Sequence, residues 1–340
     1  MNNNIKDISR LLIKNFTFFR ITNALKVYLS YTVSKLLKKP IQWGMPISFS
    51  IEPTTSCNLR CPQCPSGLRS FTRPTGMLNS TVYEKAIKEL SITSGYITFY
   101  FQGEPYLNKN FIDMVTFASQ HKMYSATSTN AHYLTIENAE ATVKSGLDRL
   151  IISIDGSTQD TYEKYRIGGQ LEKVLSGTKN IMDAKKRLKS STPHVIWQFI
   201  VFSHNEHQID EVKTLAKELK INELSIKTAQ IYDFENGSEI MPQNENLRRY
   251  EEVDGKFKIK NKLLNHCWRL WSACVITWDG KIVPCCFDKD GTYQLGNINN
   301  QSFKNIWWSK PYHLFRNQLL KGREHIDICK NCSEGSSVWK

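Results

Sequence analysis

Short β-rich runs alternate with helix-period segments from about residue 47 onward, and this alternation constrains the fold more than any other feature. Runs typical of strands cover residues 47–53, 96–101, 123–128, 149–154, 194–201 and 222–228. Helical segments lie near residues 80–91, 110–121, 136–145, 171–188 and 206–219. Six strand–helix repeats predict an α/β fold with a parallel sheet, either curved into a partial barrel or doubly wound. Ligands bind at the carboxyl ends of the strands in both arrangements.

The nine cysteines of this chain occur in clusters. Cys57, Cys61 and Cys64 follow the first predicted strand, and six more lie in the C-terminal segment. Nothing indicates export, and in a reducing cytosol such clusters are typical of metal ligands. Three thiolates on one loop can bind three corners of an iron-sulfur cube and leave the fourth iron open. Zinc normally takes four protein ligands, and no nearby Cys or His completes such a set.

The Cys57-x3-Cys61-x2-Cys64 loop resembles that of the radical S-adenosylmethionine (SAM) superfamily, which follows the first strand of a partial (β/α)6 TIM-like barrel. The resemblance implies a 4Fe-4S cluster on these three cysteines, with SAM bound to the open iron. A reductant protein, flavodoxin or ferredoxin, would supply one electron. SAM would then be cleaved to methionine and a 5'-deoxyadenosyl radical, which removes a hydrogen atom from the substrate.

Polar residues after the later strands resemble the elements that contact SAM in that family. Gln102-Gly103-Glu104-Pro105 resembles its G-G-E-P element, with Gln102 in place of the first glycine. The same residue types also have structural interpretations, as helix caps or surface charges. The resemblance implies a SAM-binding set of Gly103, Glu104, Ser128, Asn130, Ser153, Asp155 and Arg166. Gln198 and Asn205 are further candidates.

The C-terminal cysteines resemble the SPASM/twitch appendage in its shorter, one-cluster form. The resemblance implies an auxiliary 4Fe-4S cluster on Cys267, Cys285, Cys329 and Cys332. A four-thiolate zinc site is the alternative. Between them, Asp279-Gly280 predicts a β-hairpin with a two-residue turn. Cys274 and Cys286 are left over, either as small buried side chains or as catalytic hydrogen-atom donors if they face the barrel mouth.

Residues 1–46 form a basic N-terminal arm, with eight Lys or Arg and one acid, Asp7, in the first forty residues. Apolar residues at helical spacing between Leu25 and Leu37 predict an amphipathic helix, too short in its apolar run to span a bilayer. This helix either packs on the protein's own core or makes a peripheral contact with an anionic membrane. We expect a cytoplasmic protein with a core at 47–232, a linker at 233–262 and an auxiliary domain at 263–340.

Three functional classes remain open at this stage. The first is a two-electron oxidation (dehydrogenation) of a carbohydrate-like small molecule, with the auxiliary cluster as electron acceptor. The second is a peptide-modifying maturase or a radical epimerase that uses a spare cysteine, and the third is a non-catalytic iron-sulfur or zinc-binding protein. No recognisable peptide-binding domain precedes Cys57, which favours the first class. Although the net charge is +13, no basic run with interleaved aromatics predicts nucleic-acid binding.

Overall fold

The structure is a computed structural model that describes residues 3–338. Its strands are β1 (Ser48–Ile51), β2 (Tyr96–Thr98), β3 (Tyr124–Thr129), β4 (Arg149–Ser153), β5 (His194–Val201), β6 (Glu223–Thr228), β7 (Tyr250–Val253), β8 (Lys256–Ile259), β9 (Ala273–Ile276), β10 (Lys281–Val283) and β11 (Gly296–Asn297). Its helices are α1 (Asn3–Asn15), α2 (Phe18–Leu37), α3 (Pro65–Leu68), α4 (Ser80–Leu90), α5 (Phe111–Gln120), α6 (Ile136–Lys144), α7 (Gln159–Tyr165), α8 (Leu171–Arg187), α9 (Ile209–Glu218), α10 (Trp268–Ser272), α11 (Phe303–Trp307), α12 (Lys310–Lys321) and α13 (Asp327–Lys330).

The six predicted strands are confirmed as β1 to β6. They lie side by side in chain order, and each pairs in parallel with the next. A doubly wound sheet would reverse its strand order at a switch point, and this sheet does not. The unreversed order is that of a partial (β/α)6 barrel. The other edge of β1 pairs in parallel with β9, so the sheet continues into β10 and β11.

Side chains alternate between the two faces of the barrel sheet because a strand has a period of two residues. The outer face carries apolar side chains such as Phe49, Ile97 and Trp197, all buried in the core shared with the helices. The inner face carries mostly polar side chains at the positions between them, with Ala126, Ile151, Ile196 and Ile200 as its apolar members. Ser50 and Thr98 pair across this face, with their hydroxyls 2.6 Å apart. The barrel therefore encloses a lumen in which polar side chains predominate.

The predicted C-terminal hairpin is confirmed, because β9 and β10 pair antiparallel. Its turn differs from the expectation. The connection has four residues, Thr277–Gly280, and of the Asp279-Gly280 pair only Gly280 has a positive φ, +81°. The amide of Thr277 donates to the carbonyl of Lys281 and the amide of Gly280 to that of Thr277, both at 2.9 Å. The prediction of a two-residue turn is therefore wrong for this hairpin.

The stretch predicted as a linker contains a second hairpin, β7–β8. Its turn is formed by Asp254 and Gly255, with φ values of +53° and +73°, as a two-residue type I′ turn requires. Tyr250 of β7 is 1% exposed, and its hydroxyl lies 2.9 Å from Asn331 Oδ1. This hairpin therefore packs against the C-terminal segment.

The N-terminal arm forms α1 and α2, and α1 closes the amino-terminal end of the barrel with polar side chains. The Asp7 carboxylate accepts from the Tyr124 hydroxyl at 2.5 Å and pairs with Arg149. Lys14 Nζ lies 2.6 Å from Asp148 Oδ2. In α2, the buried Arg20 guanidinium donates to the carbonyls of Ser91, His121 and Lys122. Val27 and Tyr31 of α2 are 0% and 3% exposed and belong to the apolar core. The helix therefore packs on the core, but not through the predicted apolar stripe, because Leu25, Leu29 and Leu36 stay exposed.

None of the helices within residues 3–338 is long and apolar enough to cross a membrane.

Candidate functional site

Cys57, Cys61 and Cys64 lie on the loop that leaves the carboxyl end of β1. The loop is held by the amide of Arg60, which donates to the carbonyl of Ile167 at 3.0 Å. All nine cysteines are free thiols. Burial raises the pKa of the Cys57 thiol to about 11 and also raises that of Cys61. Since metals bind thiolates, loading this loop with iron must release protons.

Two polar side chains reach the cysteine loop, one from the end of β3 and one from the segment after α7. Asn130, after β3, places Nδ2 3.9 Å from Cys57 Sγ, and Arg166 places Nη1 3.7 Å from Cys61 Sγ. Burial raises the thiol pKa of Cys61, while the positive charge of Arg166 opposes that shift. The structure thus brings the ends of β1 and β3 and the segment after α7 together around the thiols.

Gly103 and Glu104 pack directly against the start of the cysteine loop. Gly103 has φ +75°, and a Cβ there would lie 2.3 Å from the carbonyl oxygen of Thr54 and 2.7 Å from that of Ser56. The Gly103 amide donates to Ser66 Oγ at 2.9 Å. Only glycine fits this position, because both the backbone angle and the space exclude a side chain.

The Glu104 carboxylate is buried, and its oxygens are held by the end of β3. Oε1 accepts from the Thr129 hydroxyl and Oε2 from the amide of Asn130, both at 2.8 Å. Burial raises the pKa of Glu104 to about 7, against these hydrogen bonds. A neighbouring cation would therefore stabilise its ionised form.

Asp155 and Arg166 form a buried ion pair at the carboxyl end of β4. Arg166 Nε lies 2.5 Å from Asp155 Oδ2, and the other oxygen accepts from the amide of Ile200 at 2.7 Å. Asn205 donates to the carbonyl of Asp155 at 3.0 Å. Both Asp155 oxygens thus have protein partners, which makes Asp155 the residue that positions Arg166.

Ser128, Ser153 and Gln198 complete the predicted set. Ser153 stands opposite Gln198 in the β4–β5 register, and all three side chains belong to the inner face. Two polar atoms nearby, Gln102 Oε1 and the Tyr162 hydroxyl, are buried with no hydrogen-bond partner in the described chain. Since leaving such an atom unpaired costs about 1–3 kcal/mol, this site fits a polar ligand.

The four cysteines predicted for an auxiliary cluster line one cavity in the C-terminal domain: Cys267, Cys285, Cys329 and Cys332. Arg323 borders the same cavity, is 1% exposed and places Nη2 3.1 Å from Cys332 Sγ. Gly335 lies against Cys267, where an added Cβ would be only 2.4 Å from Sγ. A buried cation among four thiols suits a centre whose thiolates carry negative charge.

The two remaining cysteines lie in different surroundings. Cys274 is 2% exposed in the apolar core, beside Arg316 and Tyr312, so it does not face the barrel mouth and is wrong as a hydrogen-atom donor. Cys286 is half-buried, with its Sγ 3.9 Å from Arg269 Nη1. It lies close to Tyr100, which follows β2 on the inner side of the sheet.

Residues 51–216 match the model of the radical SAM superfamily, and residues 267–333 match that of SPASM, an iron-sulfur cluster-binding domain. The chain belongs to the radical SAM superfamily. Members of this superfamily are enzymes that bind SAM and a 4Fe-4S cluster, and the SPASM domain adds auxiliary iron-sulfur binding. The family expectation from the cysteine spacing is thereby confirmed.

Three solved structures share the fold at low sequence identity. BtrN, in complex with AdoMet and 2-DOIA, has 19% identity and a TM-score of 0.53, over 86% of this chain and 95% of that chain. Streptococcus suis SuiB, bound to S-adenosylmethionine, has 15% identity and a TM-score of 0.65, over 90% and 76%. The enzyme anSMEcpe, with AdoMet and the Kp18Cys peptide, has 18% identity and a TM-score of 0.60, over 86% and 92%.

The residues present fit the family's cofactors. Within residues 3–338, no three His, Cys, Asp or Glu side chains are arranged to hold a single metal ion. A 4Fe-4S cube binds its thiolates on different irons, so its ligands need not converge on one point. The three loop thiols, the unpaired buried polar atoms and the Glu104 carboxylate supply the donor types that a cluster and the amino-acid end of SAM require.

Sequence reasoning missed three residues that the fold brings into these sites. Thr129 lies next to Ser128, and Tyr162 lies shortly before Arg166. The family resemblance was based on Ser128 and Arg166, and it did not include Thr129 or Tyr162. Arg323 lies six residues before Cys329 in a segment with no recognisable pattern. In the sequence, Arg323 looks like an ordinary surface charge. Only the three-dimensional packing shows that it is buried among the cysteines.

Replacing Gly103 with alanine should lower the free energy of unfolding by about 2–4 kcal/mol, because the new Cβ meets two carbonyl oxygens and takes a strained φ. Gly168→Ala is the matched control. Gly168 has φ +78°, but nothing lies within 4 Å of an added Cβ. The Gly168→Ala substitution should therefore lower the free energy of unfolding by only about 1 kcal/mol. Urea unfolding of the apoprotein measures both, and equal costs would contradict the close approach at Gly103.

Proposed function

We propose that Cys57, Cys61 and Cys64 hold the SAM-cleaving cluster, and that Cys267, Cys285, Cys329 and Cys332 hold the auxiliary cluster. The first assignment is supported by the placement of the three thiols on one loop, with Cys57 beside Glu104 and Asn130 and with Cys61 beside Arg166. The second is supported by the shared cavity and by Arg323 at its wall. A flavodoxin or ferredoxin is the proposed source of the electron.

On the same reasoning, the SAM-binding residues divide into two groups. Gly103 lets the chain turn tightly against the cysteine loop and so positions Glu104, which offers a carboxylate to the amino group of SAM. Arg166 offers its guanidinium to the carboxylate, and Asp155 holds Arg166 in place. Ser128, Asn130 and Ser153 line the inner edge between them.

The substrate we propose is a small, polar, hydroxyl-bearing molecule such as a carbohydrate or cyclitol, which the enzyme dehydrogenates. The observation that carries this proposal is that polar side chains outnumber the apolar Ala126, Ile151, Ile196 and Ile200 on the inner face of the barrel. Ser48, Ser50, Ser128, Gln198 and Ser225 all belong to it and are partly solvent-accessible. Hydroxyl and amide groups bind hydroxyl-rich ligands, whereas an apolar lumen would leave such a ligand's polar groups unpaired.

The chain's own residues position the substrate and close the lumen. Tyr124, Arg149 and Asp7 block its amino-terminal end, so the substrate enters from the strand ends where SAM binds. When bound, SAM and the two clusters supply the radical chemistry, from hydrogen-atom removal to acceptance of the remaining electron. The substrate would lose one hydrogen as an atom and one as a proton.

One observation favours a second candidate, radical epimerisation. Cys286 is half-buried beside Arg269 and near Tyr100 on the inner side of the sheet. A thiol there can return a hydrogen atom to a substrate radical, which would invert a carbon centre without net oxidation. A peptide substrate is also compatible with the fold, since anSMEcpe binds a peptide.

Anaerobically reconstituted wild-type protein should contain about eight irons and eight sulfides, because two four-iron clusters are expected. Replacing Cys57, Cys61 and Cys64 together with alanine should remove about four irons. Cys274→Ala is the control and should remove none. Four irons with one zinc in the wild type would instead assign zinc to the C-terminal cysteines, and zinc alone would contradict both assignments.

With its substrate, the enzyme should release a product two mass units lighter, as dehydrogenation requires. A panel of cyclitols and amino sugars incubated with SAM and dithionite, analysed by mass spectrometry, measures this. Cys286→Ala should leave the mass change intact. A product of unchanged mass that takes up one deuterium from heavy water, lost in Cys286→Ala, would replace oxidation with epimerisation.

A further inference from the structure

The N-terminal arm exposes an unusual concentration of apolar side chains. Thirteen of the twenty-four exposed large hydrophobic side chains within residues 3–338 lie between Ile5 and Leu37. The most exposed cluster spans the α1–α2 junction, which we call the arm face: Leu12, Ile13, Phe16, Phe18 and Phe19, each 62–80% exposed. Surface patches of this kind mark a membrane or protein contact.

The arm face points outward because α1 packs on the barrel through polar side chains and α2 through a mixed polar and apolar face. In α1 the inward side chains are Asp7, Arg10 and Lys14, at helical spacing. In α2 they are Arg20 and Asn23, both 6% exposed, followed by the apolar Val27 and Tyr31, which are 0% and 3% exposed in the core. A surface helix ordinarily turns its main apolar stripe toward the core, whereas here the larger apolar stripe faces outward. Within residues 3–338 that stripe stays exposed.

The same stripe continues along α2 and is flanked by cations. Leu25, Leu29 and Leu36 are 51–72% exposed and follow Phe18 at spacings of seven, four and seven residues, which places them on one side of the helix. Lys26 and Lys35 are exposed at positions to either side of this stripe.

The arm presents almost no negative charge to balance those cations. Asp7, the one acid among the first forty residues, is 3% exposed and paired with Arg149. Lys38 and Lys39 at the end of α2 are exposed as well. An occupant of this surface must therefore combine apolar groups with negative charge.

A basic cavity lies beside α1 at the amino-terminal end of the barrel. It has a volume of about 620 Å³, and seven of its sixteen lining residues are Lys or Arg, against three acids. Lys6 and Arg10 come from the arm, and Lys185, Lys186 and Lys220 from the barrel. Burial and the charge of Arg10 lower the pKa of Lys185 to about 8. The cavity therefore adds to the positive charge of the barrel end that carries the arm.

We propose that the arm face lies on an anionic phospholipid bilayer, with its aromatic and aliphatic side chains in the interface and the flanking lysines at the lipid phosphates. A lysine-flanked aromatic and leucine stripe is the composition of helices that lie in a membrane interface. The strand ends that carry the cysteine loop are at the opposite end of the barrel. The enzyme would thus sit on the membrane with its SAM site turned toward the aqueous phase.

Flotation with lipid vesicles tests the proposal on the full-length, iron-reconstituted enzyme. The wild type should float with vesicles containing phosphatidylglycerol and bind about tenfold more weakly to pure phosphatidylcholine. Changing Phe16, Phe18 and Phe19 together to serine should reduce the binding by about tenfold or more. High salt should weaken the wild-type binding, because surface charge attraction is screened.

A matched variant removes three exposed apolar side chains outside the arm, Ile136, Leu264 and Leu314 (43–59% exposed). Changed together to serine, they should alter vesicle binding by no more than about twofold. SAM cleavage should be unchanged in both triple variants, which separates this proposal from the assignment of the active site. Wild-type protein that stays unbound with anionic vesicles would overturn the proposal. So would arm-variant binding equal to that of the wild type, or a wild-type dimer that the arm variant makes monomeric.

Discussion

Strand β1 pairs in parallel on both of its edges, and this double pairing determines how the two cysteine sites are placed. Ser50 stands opposite Thr98 of β2 on one side and Val275 of β9 on the other. The loop leaving β1 carries Cys57, while the hairpin that begins with β9 leads to Cys285. Both sites therefore depend on the register of one short strand.

A buried ion pair reinforces that junction. Glu52, directly after β1, is fully buried and accepts two hydrogen bonds from Arg73, at 2.5 and 2.8 Å. The amide of Trp278, in the hairpin turn, donates to the same carboxylate at 3.2 Å. Burial raises the pKa of Glu52, although Arg73 opposes the shift. Removing either partner would leave a buried charge unpaired, which is strongly unfavourable.

The strands of the barrel were predictable because each one is a β-rich run bounded by turn residues. The polar inner face was also readable, in the alternation of Ser48-Phe49-Ser50-Ile51, but a parallel strand is usually apolar on both faces. The Asp-Gly signal was read at residues 279–280 and missed at 254–255, where the two-residue turn occurs. The arm helix was predictable, but its orientation was not. That orientation depends on carbonyl groups and on Asp148 at the end of the barrel, which require cationic donors.

In the sites, the thiols and Glu104 were predictable from spacing and resemblance, and the structure brings them together. Thr129, Tyr162 and Arg323 were not predictable, because their roles arise from contacts between segments far apart in sequence. The central claim is that the Cys57 loop carries SAM-cleaving chemistry. Its most direct measurement is the yield of 5'-deoxyadenosine from SAM and dithionite under anaerobic conditions. The account predicts slow formation by the wild type and none when Cys57, Cys61 and Cys64 are changed to alanine. Equal yields from the two proteins would contradict it.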